Sequence, residues 1–146
     1  MTSAAARAGS VLAFDFGTQR IGVAVGETGV GVAHPLATIA ARVDRVRFEA
    51  IRSLIEEWRP VLLVVGLPTH ADGTAHAMTA RARRFAQQLE NRFGLPIALC
   101  DERFTTQAAS LALHGAGVRG RARKAARDQV AAQLILQAYL DQRRAS

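Results

Sequence analysis

The sequence predicts a single α/β domain: an antiparallel three-stranded meander joined to parallel strands through helical crossovers. Three observations carry this. Three apolar runs near the N-terminus are separated by breaks of hairpin length. From Asp44 onward, stretches of helical period alternate with short β-branched and leucine runs. The 146 residues, 49% hydrophobic and 21% charged, suffice for one domain with its own core and leave no room for a second. The expected architecture is a five-stranded mixed sheet flanked by helices.

Residues 1–10 read as a disordered leader and 11–146 as the domain. Residues 11–16, 21–26 and 30–39 form the meander, the last run interrupted by Pro35. Within the second run, Ile21, Val23 and Val25 alternate with Gly22, Ala24 and Gly26. One face is bulky and the other nearly bare, which suits the close approach of a helix or ligand. Phe48, Ile51, Leu54, Ile55 and Trp58 then share a helical face, with Asp44 as N-cap and Pro60 as stop. Residues 61–65 are a strand covered on both faces.

A loop over residues 67–74 leads to a second helix, whose stripe is Met78, Ala82, Phe85, Leu89 and Phe93 and whose end is Gly94. Residues 96–100 make the fifth strand. Thr105 or Thr106 caps a third helix running to about His114. Residues 115–124, glycine-rich and basic, read as a mobile loop. The last helix is expected over 125–143, with Ala131, Leu134, Ile135, Ala138 and Tyr139 inward.

Composition excludes several classes. The single cysteine, Cys100, rules out a disulfide framework and any cysteine zinc cluster, and reads as a core filler. The longest apolar runs are far too short to cross a bilayer, and no signal-peptide core precedes Asp15. The expected place is therefore the cytoplasm. Lysine and arginine number 19 against 12 acids, a formal charge of +7 and a pI near 11.3. All of these cations but Lys124 are arginine. So basic a domain, with no membrane segment, points to nucleic acid or another polyanion.

Three acidic positions stand out because burial there is costly. Asp15 lies inside an apolar strand between Phe14 and Phe16. An ionised carboxylate there must be hydrogen-bonded, paired or bound to a cation; the plainer reading is that it caps the Gly17 turn. Asp101 and Glu102 follow the fifth strand at its carboxyl end, where α/β sheets gather ligands. Asp128 falls on the inward stripe of the last helix, or else serves the dipole of that helix near its start. If the last helix packs on the sheet, the acids converge. Converging carboxylates call for a hard divalent cation, Mg²⁺ or Mn²⁺, as one ion or two. Such a site can activate water for in-line displacement at a phosphodiester.

Arginines supply the complement. Arg119, Arg121, Arg123, Lys124 and Arg127 form a basic segment ahead of Asp128, and Arg103 adjoins the acidic pair. Arginine forks match phosphate oxygens, so these are the candidate nucleic-acid contacts. Arg81, Arg83 and Arg84 on the second helix read as a solvated face. The histidines, His34, His70, His76 and His114, show no ligand spacing.

These residues resemble the YqgF/RuvX family, whose members bear the names pre-16S rRNA nuclease and, earlier, Holliday junction resolvase. The likeness rests on Leu12-Ala-Phe-Asp15-Phe-Gly-Thr-Gln-Arg-Ile-Gly-Val-Ala-Val25, Val65-Gly-Leu-Pro68 with Asp72-Gly73, Asp101-Glu-Arg-Phe-Thr-Thr106 and Asp128-Gln-Val-Ala-Ala-Gln-Leu-Ile-Leu136. It implies a ribonuclease H-like fold and a cytoplasmic, metal-dependent nuclease that trims the 5′ end of pre-16S rRNA. The acids carried over are Asp15, Asp101 with Glu102, and Asp128. His70-Ala71 and Ser110 depart from the pattern of many relatives, in loops that bear on substrate contacts.

Other readings stand beside it. One is a Holliday junction resolvase-type DNA endonuclease, and another a non-catalytic RNA-binding factor with a structural metal. Asp15-Phe-Gly-Thr18 is also similar to the phosphate-binding hairpin of actin-like kinases, which need two such lobes where this chain supplies one. The expected partner is pre-rRNA, then branched DNA, with no membrane, for a monomer or weak homodimer. Strand alternation separates Asp101 from Glu102. The shorter Asp101 is the expected metal ligand, and Glu102 the residue that orients Arg103 or water.

Overall fold

A computed structural model of the chain describes residues 9–68, 77–101 and 120–145; of 120–124 and 144–145 the backbone alone is described. The elements are β1 (Ser10–Asp15), β2 (Ile21–Glu27), β3 (Ala33–Ile39), α1 (Asp44–Trp58), β4 (Leu62–Leu67), α2 (Thr79–Phe93), β5 (Ile97–Asp101) and α3 (Gly120–Ala145). They form one five-stranded sheet in the order β3-β2-β1-β4-β5. The β1–β2 and β2–β3 pairs are antiparallel, and β1–β4 and β4–β5 are parallel. The expected meander-plus-crossover plan holds.

Alternation along each strand builds two cores. Leu12, Phe14, Val23, Leu63 and Val65 face α1 and α2, whose Phe48, Ile51, Phe85 and Leu89 are buried against them. Val11, Ala13, Ala24, Leu62 and Val64 face α3, which contributes Ala132, Ile135, Leu136 and Leu140. The interior strand β4, between β1 and β5, is buried throughout, as a strand covered on both faces must be.

The bare face of β2 receives α3. A Cβ on Gly22 would collide with the backbone carbonyl of Asp128, and one on Gly26 would press on Leu136 and Leu140. A row of glutamines at helical spacing fixes the helix along the edge strand β3. Gln133 Nε2 donates to Ala33 O at 3.0 Å, and Gln137 accepts from Ala33 N and donates to Gly31 O, each at 2.9 Å. Gln129 donates to Thr38 Oγ1, which in turn donates to Ala125 O. These contacts satisfy polar groups of an edge strand that would otherwise stay open.

Several boundaries differ from the sequence expectation. Strand β1 opens at Ser10, because Val61 N donates to Ser10 O and Gly9 N to Thr28 Oγ1. The N-cap of α1 is Val43, whose side chain makes no cap, and Asp44 is the first helical residue instead. Its carboxylate still lies at the positive end of the helix dipole. Gly94, at φ 65°, closes α2 as expected. Asp101 is the last residue of β5 rather than the residue after it.

The largest change is α3, which begins at Gly120, within the segment read as a loop. Alanine and arginine over 121–127 are strong helix formers, and that propensity outweighs the glycine-based reading. The buried face of α3 is Ala131, Ala132, Ile135, Leu136 and Leu140, while Leu134, Ala138 and Tyr139 are only half-buried. The expected third helix, the leader residues 1–8 and the 69–76 loop lie outside the described residues.

Gly22→Ala should lower the unfolding free energy by about 1–3 kcal/mol, since neither backbone can yield without shifting α3. Gly29, with open space around it, is the control. Gly29→Ala should move stability by less than about 0.5 kcal/mol. Urea unfolding of both variants checks this, and equal values would refute a tight helix–sheet contact at Gly22.

Candidate active site

Asp15 closes β1 on the side of the sheet that α3 covers, following Val11 and Ala13 in strand parity. Its register partner on β2 is Gly22. Directly opposed residues of an antiparallel pair have Cα atoms about 4.5–5.5 Å apart. Because the Asp128 backbone rests on Gly22, Asp128 is brought beside Asp15. Both line one open cleft of about 550 Å³, with the residue 16–20 turn, Met78 and Arg127 around them.

Asp128 is partnered. Arg20 Nε donates to its Oδ2 at 2.6 Å, with side-chain exposures of 30% and 16%. The dipole reading of Asp128 does not survive, because α3 starts at Gly120 and Asp128 stands more than two turns in. Its position is set by Gly22 and its charge is met by Arg20. The cleft thus holds two carboxylates and two guanidinium groups, those of Arg20 and Arg127.

The turn that carries this arrangement is clamped from the opposite face by Arg47 of α1, which is 3% exposed. Its Nε donates to Ala41 O and its Nη2 to Gly17 O, both at 2.5 Å, and the guanidinium lies 5.4 Å from the centre of the Phe16 ring. Burial pushes its pKa below the usual arginine value, and Asp44 offsets part of that. Arginine remains charged at neutral pH in any case. A buried cation therefore stands directly behind the Asp15–Gly17 turn.

Asp101 is placed differently. By alternation it shares the side of β5 with Ile97 and Leu99, which face α1 and α2, whereas Cys100 packs against Ile135 on the α3 side. The described residues therefore bring Asp15 and Asp128 together, with Asp101 on the opposite face at the same end of the sheet. Among the described residues no three metal-ligating side chains cluster. Glu102, Arg103 and Arg119 lie outside the described residues, as do the side chains of Arg121, Arg123 and Lys124. Arg127 is at the cleft. Cys100 is a buried core residue, its Sγ 3.7 Å from Ile135 O.

Sequence reasoning missed Arg20 and Arg47. The signal for Arg47 was its spacing, four residues before Ile51 on the buried stripe of α1. Arg20 left no comparable mark, since an arginine in a hairpin turn is ordinarily solvated.

A five-stranded mixed sheet in the order β3-β2-β1-β4-β5, with helices on both faces, is the ribonuclease H-like fold. The solved structure "T. thermophilus RuvC in complex with Holliday junction substrate" aligns with a TM-score of 0.54 at 16% identity, over 93% of this chain and 96% of that one. That likeness establishes the fold. The chain belongs to the RuvX family, described as Holliday junction resolvase, whose profile matches residues 9–142.

Similar proteins named "Putative pre-16S rRNA nuclease" occur in Nitrosospira multiformis and Nitrosomonas europaea. The first is 56% identical over 95% of this chain and 92% of its own length, the second 57% over 97% and 94%. A third so named, from Chromobacterium violaceum, is 57% identical over 90% and 96%. Family, relatives and fold agree on a phosphodiester-hydrolysing nuclease. No helix among the described residues is long and apolar enough to cross a membrane.

Arg47→Met should leave the carbonyls of Gly17 and Ala41 without their donor. Each unsatisfied buried group costs about 1–3 kcal/mol, so stability should fall by about 2 kcal/mol or more. Arg45→Met, on the exposed side of α1, should change little. Parallel urea titrations decide; equal loss in both would mean that the clamp is not a stabilising contact.

Proposed function

We propose that the chain is a metal-dependent nuclease acting on the 5′ end of pre-16S rRNA, in the cytoplasm. The observation that carries this is the pairing of Asp15 and Asp128 in one cleft across Gly22. The names of the relatives, matched over nearly their whole length, support the rRNA substrate over branched DNA.

The cleft suits a hard divalent cation. Two carboxylates from separate elements share it, and Arg20 pairs with that of Asp128. Asp15 and Asp128 would hold Mg²⁺ or Mn²⁺, which when bound supplies Lewis-acid stabilisation of phosphodiester oxygens. The residues of the chain do the rest. Arg47 fixes the turn that presents Asp15, so the carboxylate is held without reorganisation. Arg127 stands at the cleft to pair with a backbone phosphate. Arg20, paired with Asp128 at the same cleft, would be within reach of that phosphate as well. Glu102 is proposed as the further acidic group, ahead of Asp101, whose strand parity turns it from the cleft. The basic residues Arg103, Arg119, Arg121, Arg123 and Lys124 extend the strand contact.

The test is to incubate the protein with pre-16S rRNA fragments and four-way DNA junctions in Mg²⁺, Mn²⁺ or EDTA. Metal-dependent cleavage of the RNA is expected. Asp15→Asn and Asp128→Asn should each reduce it by about 100-fold or more while RNA affinity stays within a few-fold. Glu102→Gln should cost more than Asp101→Asn. Cleavage that survives in both Asp15→Asn and Asp128→Asn overturns the site. A wild-type protein that binds RNA and cuts nothing is the non-catalytic factor, and one that cuts only junctions is the resolvase.

A further inference from the structure

A second groove, of about 280 Å³, runs between α1 and α2 on the face opposite α3. Its polar lining is Arg47, Arg81, Arg84, Gln88 and the carboxylate of Asp44, with the Phe16 ring at one end. Three guanidinium groups thus face one acid. Arg81, Arg84 and Gln88 stand at spacings of three and four on α2, so they form one stripe along the groove. Arg81 and Arg84 are exposed, and among the described residues neither has a carboxylate within ion-pair distance.

Such a stripe is costly to keep if it serves only solvation. Like charges one turn apart on a helix repel, and the helix carries a single acid, Glu90, on its described surface. Behind the stripe, Arg47 is a buried positive charge held in place by two backbone carbonyls. Buried and exposed guanidinium groups around a narrow trough make a local site for an anion with several oxygens, which guanidinium forks bind bidentately.

The groove also has an address. Phe16 lines both this groove and the cleft that holds Asp15 and Asp128, so the two adjoin at this residue, whose ring packs on Phe85. Successive phosphates of a strand seated at Asp15 would pass that ring and reach Arg84 and Arg81 next. We propose that the α1–α2 groove is a nucleic-acid backbone track, in which Arg81 and Arg84 hold two phosphates of the strand whose neighbouring phosphodiester lies at Asp15. The ligand is a single strand, since a trough of this size between two helices admits one sugar–phosphate chain and not a duplex. This inference rests on the nuclease reading and gives it a direction: the bound strand continues over the α2 face of the sheet. The face read from sequence as solvated becomes part of the interface.

The test is fluorescence anisotropy of labelled single-stranded RNA against full-length protein without divalent cation, at a series of salt concentrations. The double variant R81Q/R84Q should bind about tenfold more weakly at low salt. Its slope of log affinity against log salt should fall by about 1.4, the value for two single-strand phosphates. Arg83→Gln removes an arginine from the same helix that lines a different surface, against Ile97 and Leu99. It should leave the slope nearly unchanged, shifting it by well under the roughly 0.7 of one single-strand phosphate. An unchanged slope in R81Q/R84Q, or an equal loss in Arg83→Gln and in each of Arg81→Gln and Arg84→Gln, overturns the track and leaves a diffuse charge effect. If the wild type cleaves RNA while R81Q/R84Q is unaltered, the nuclease reading stands and the track falls. If the wild type binds no strand, both fall.

Discussion

The contact on which the site depends is between two backbones: the carbonyl of Asp128 on α3 lies directly over Gly22 of β2. Gly22 is the register partner of Asp15, so a helix that reaches this depth carries its own acid to the end of β1. No side chain other than hydrogen permits that approach. The glutamine row at 129, 133 and 137 sets the helix along β3, and the Leu136 and Leu140 side chains over Gly26 set its tilt. Small residues in β2 and long amides in α3 are thus two halves of one constraint. They determine where a carboxylate stands, not merely how a core packs.

Two arginines stand on either side of that contact. Arg20 meets Asp128 in the cleft, and Arg47 supports the Asp15 turn from the far side of the sheet. The two arginines differ in kind: Arg47 is buried and bonded to carbonyl oxygens, while Arg20 is 30% exposed and ion-paired with Asp128. That difference matters for a site proposed to take a cation and a phosphate in turn. The buried arginine holds geometry, and the exposed one offsets charge.

Much of this was legible from the residues. Strand number, the meander, the crossovers and α1 over residues 44–58 follow from apolar period and from turn residues, which act locally. The bare Gly22-Ala24-Gly26 face announced a close packing partner, and Asp15 and Asp128 announced themselves as acids in apolar surroundings. What sequence could not supply depends on distant pairs. Arg20 and Asp128 are 108 residues apart, and only the fold brings them to hydrogen-bonding distance. The start of α3 was missed because glycine at 115–120 suggested a loop, although the helix propensity of the next residues was on the page. Asp101 shows the limit of an address: the carboxyl end of a strand names the right edge of the sheet, while strand parity decides which face.

The most direct measurement is a Mn²⁺ titration of the isotope-labelled protein followed by amide line broadening, which falls off steeply with distance from a paramagnetic ion. If Asp15 and Asp128 share one cation across Gly22, the amides of Asp15, Gly22 and Asp128 should broaden first and together, at substoichiometric metal. Those of Glu27 and His34, at the opposite end of β2 and on the edge strand, should persist. Broadening that begins elsewhere, or that reaches Asp15 and Asp128 at different metal concentrations, would contradict a shared site and with it the proposed role of the Gly22 contact.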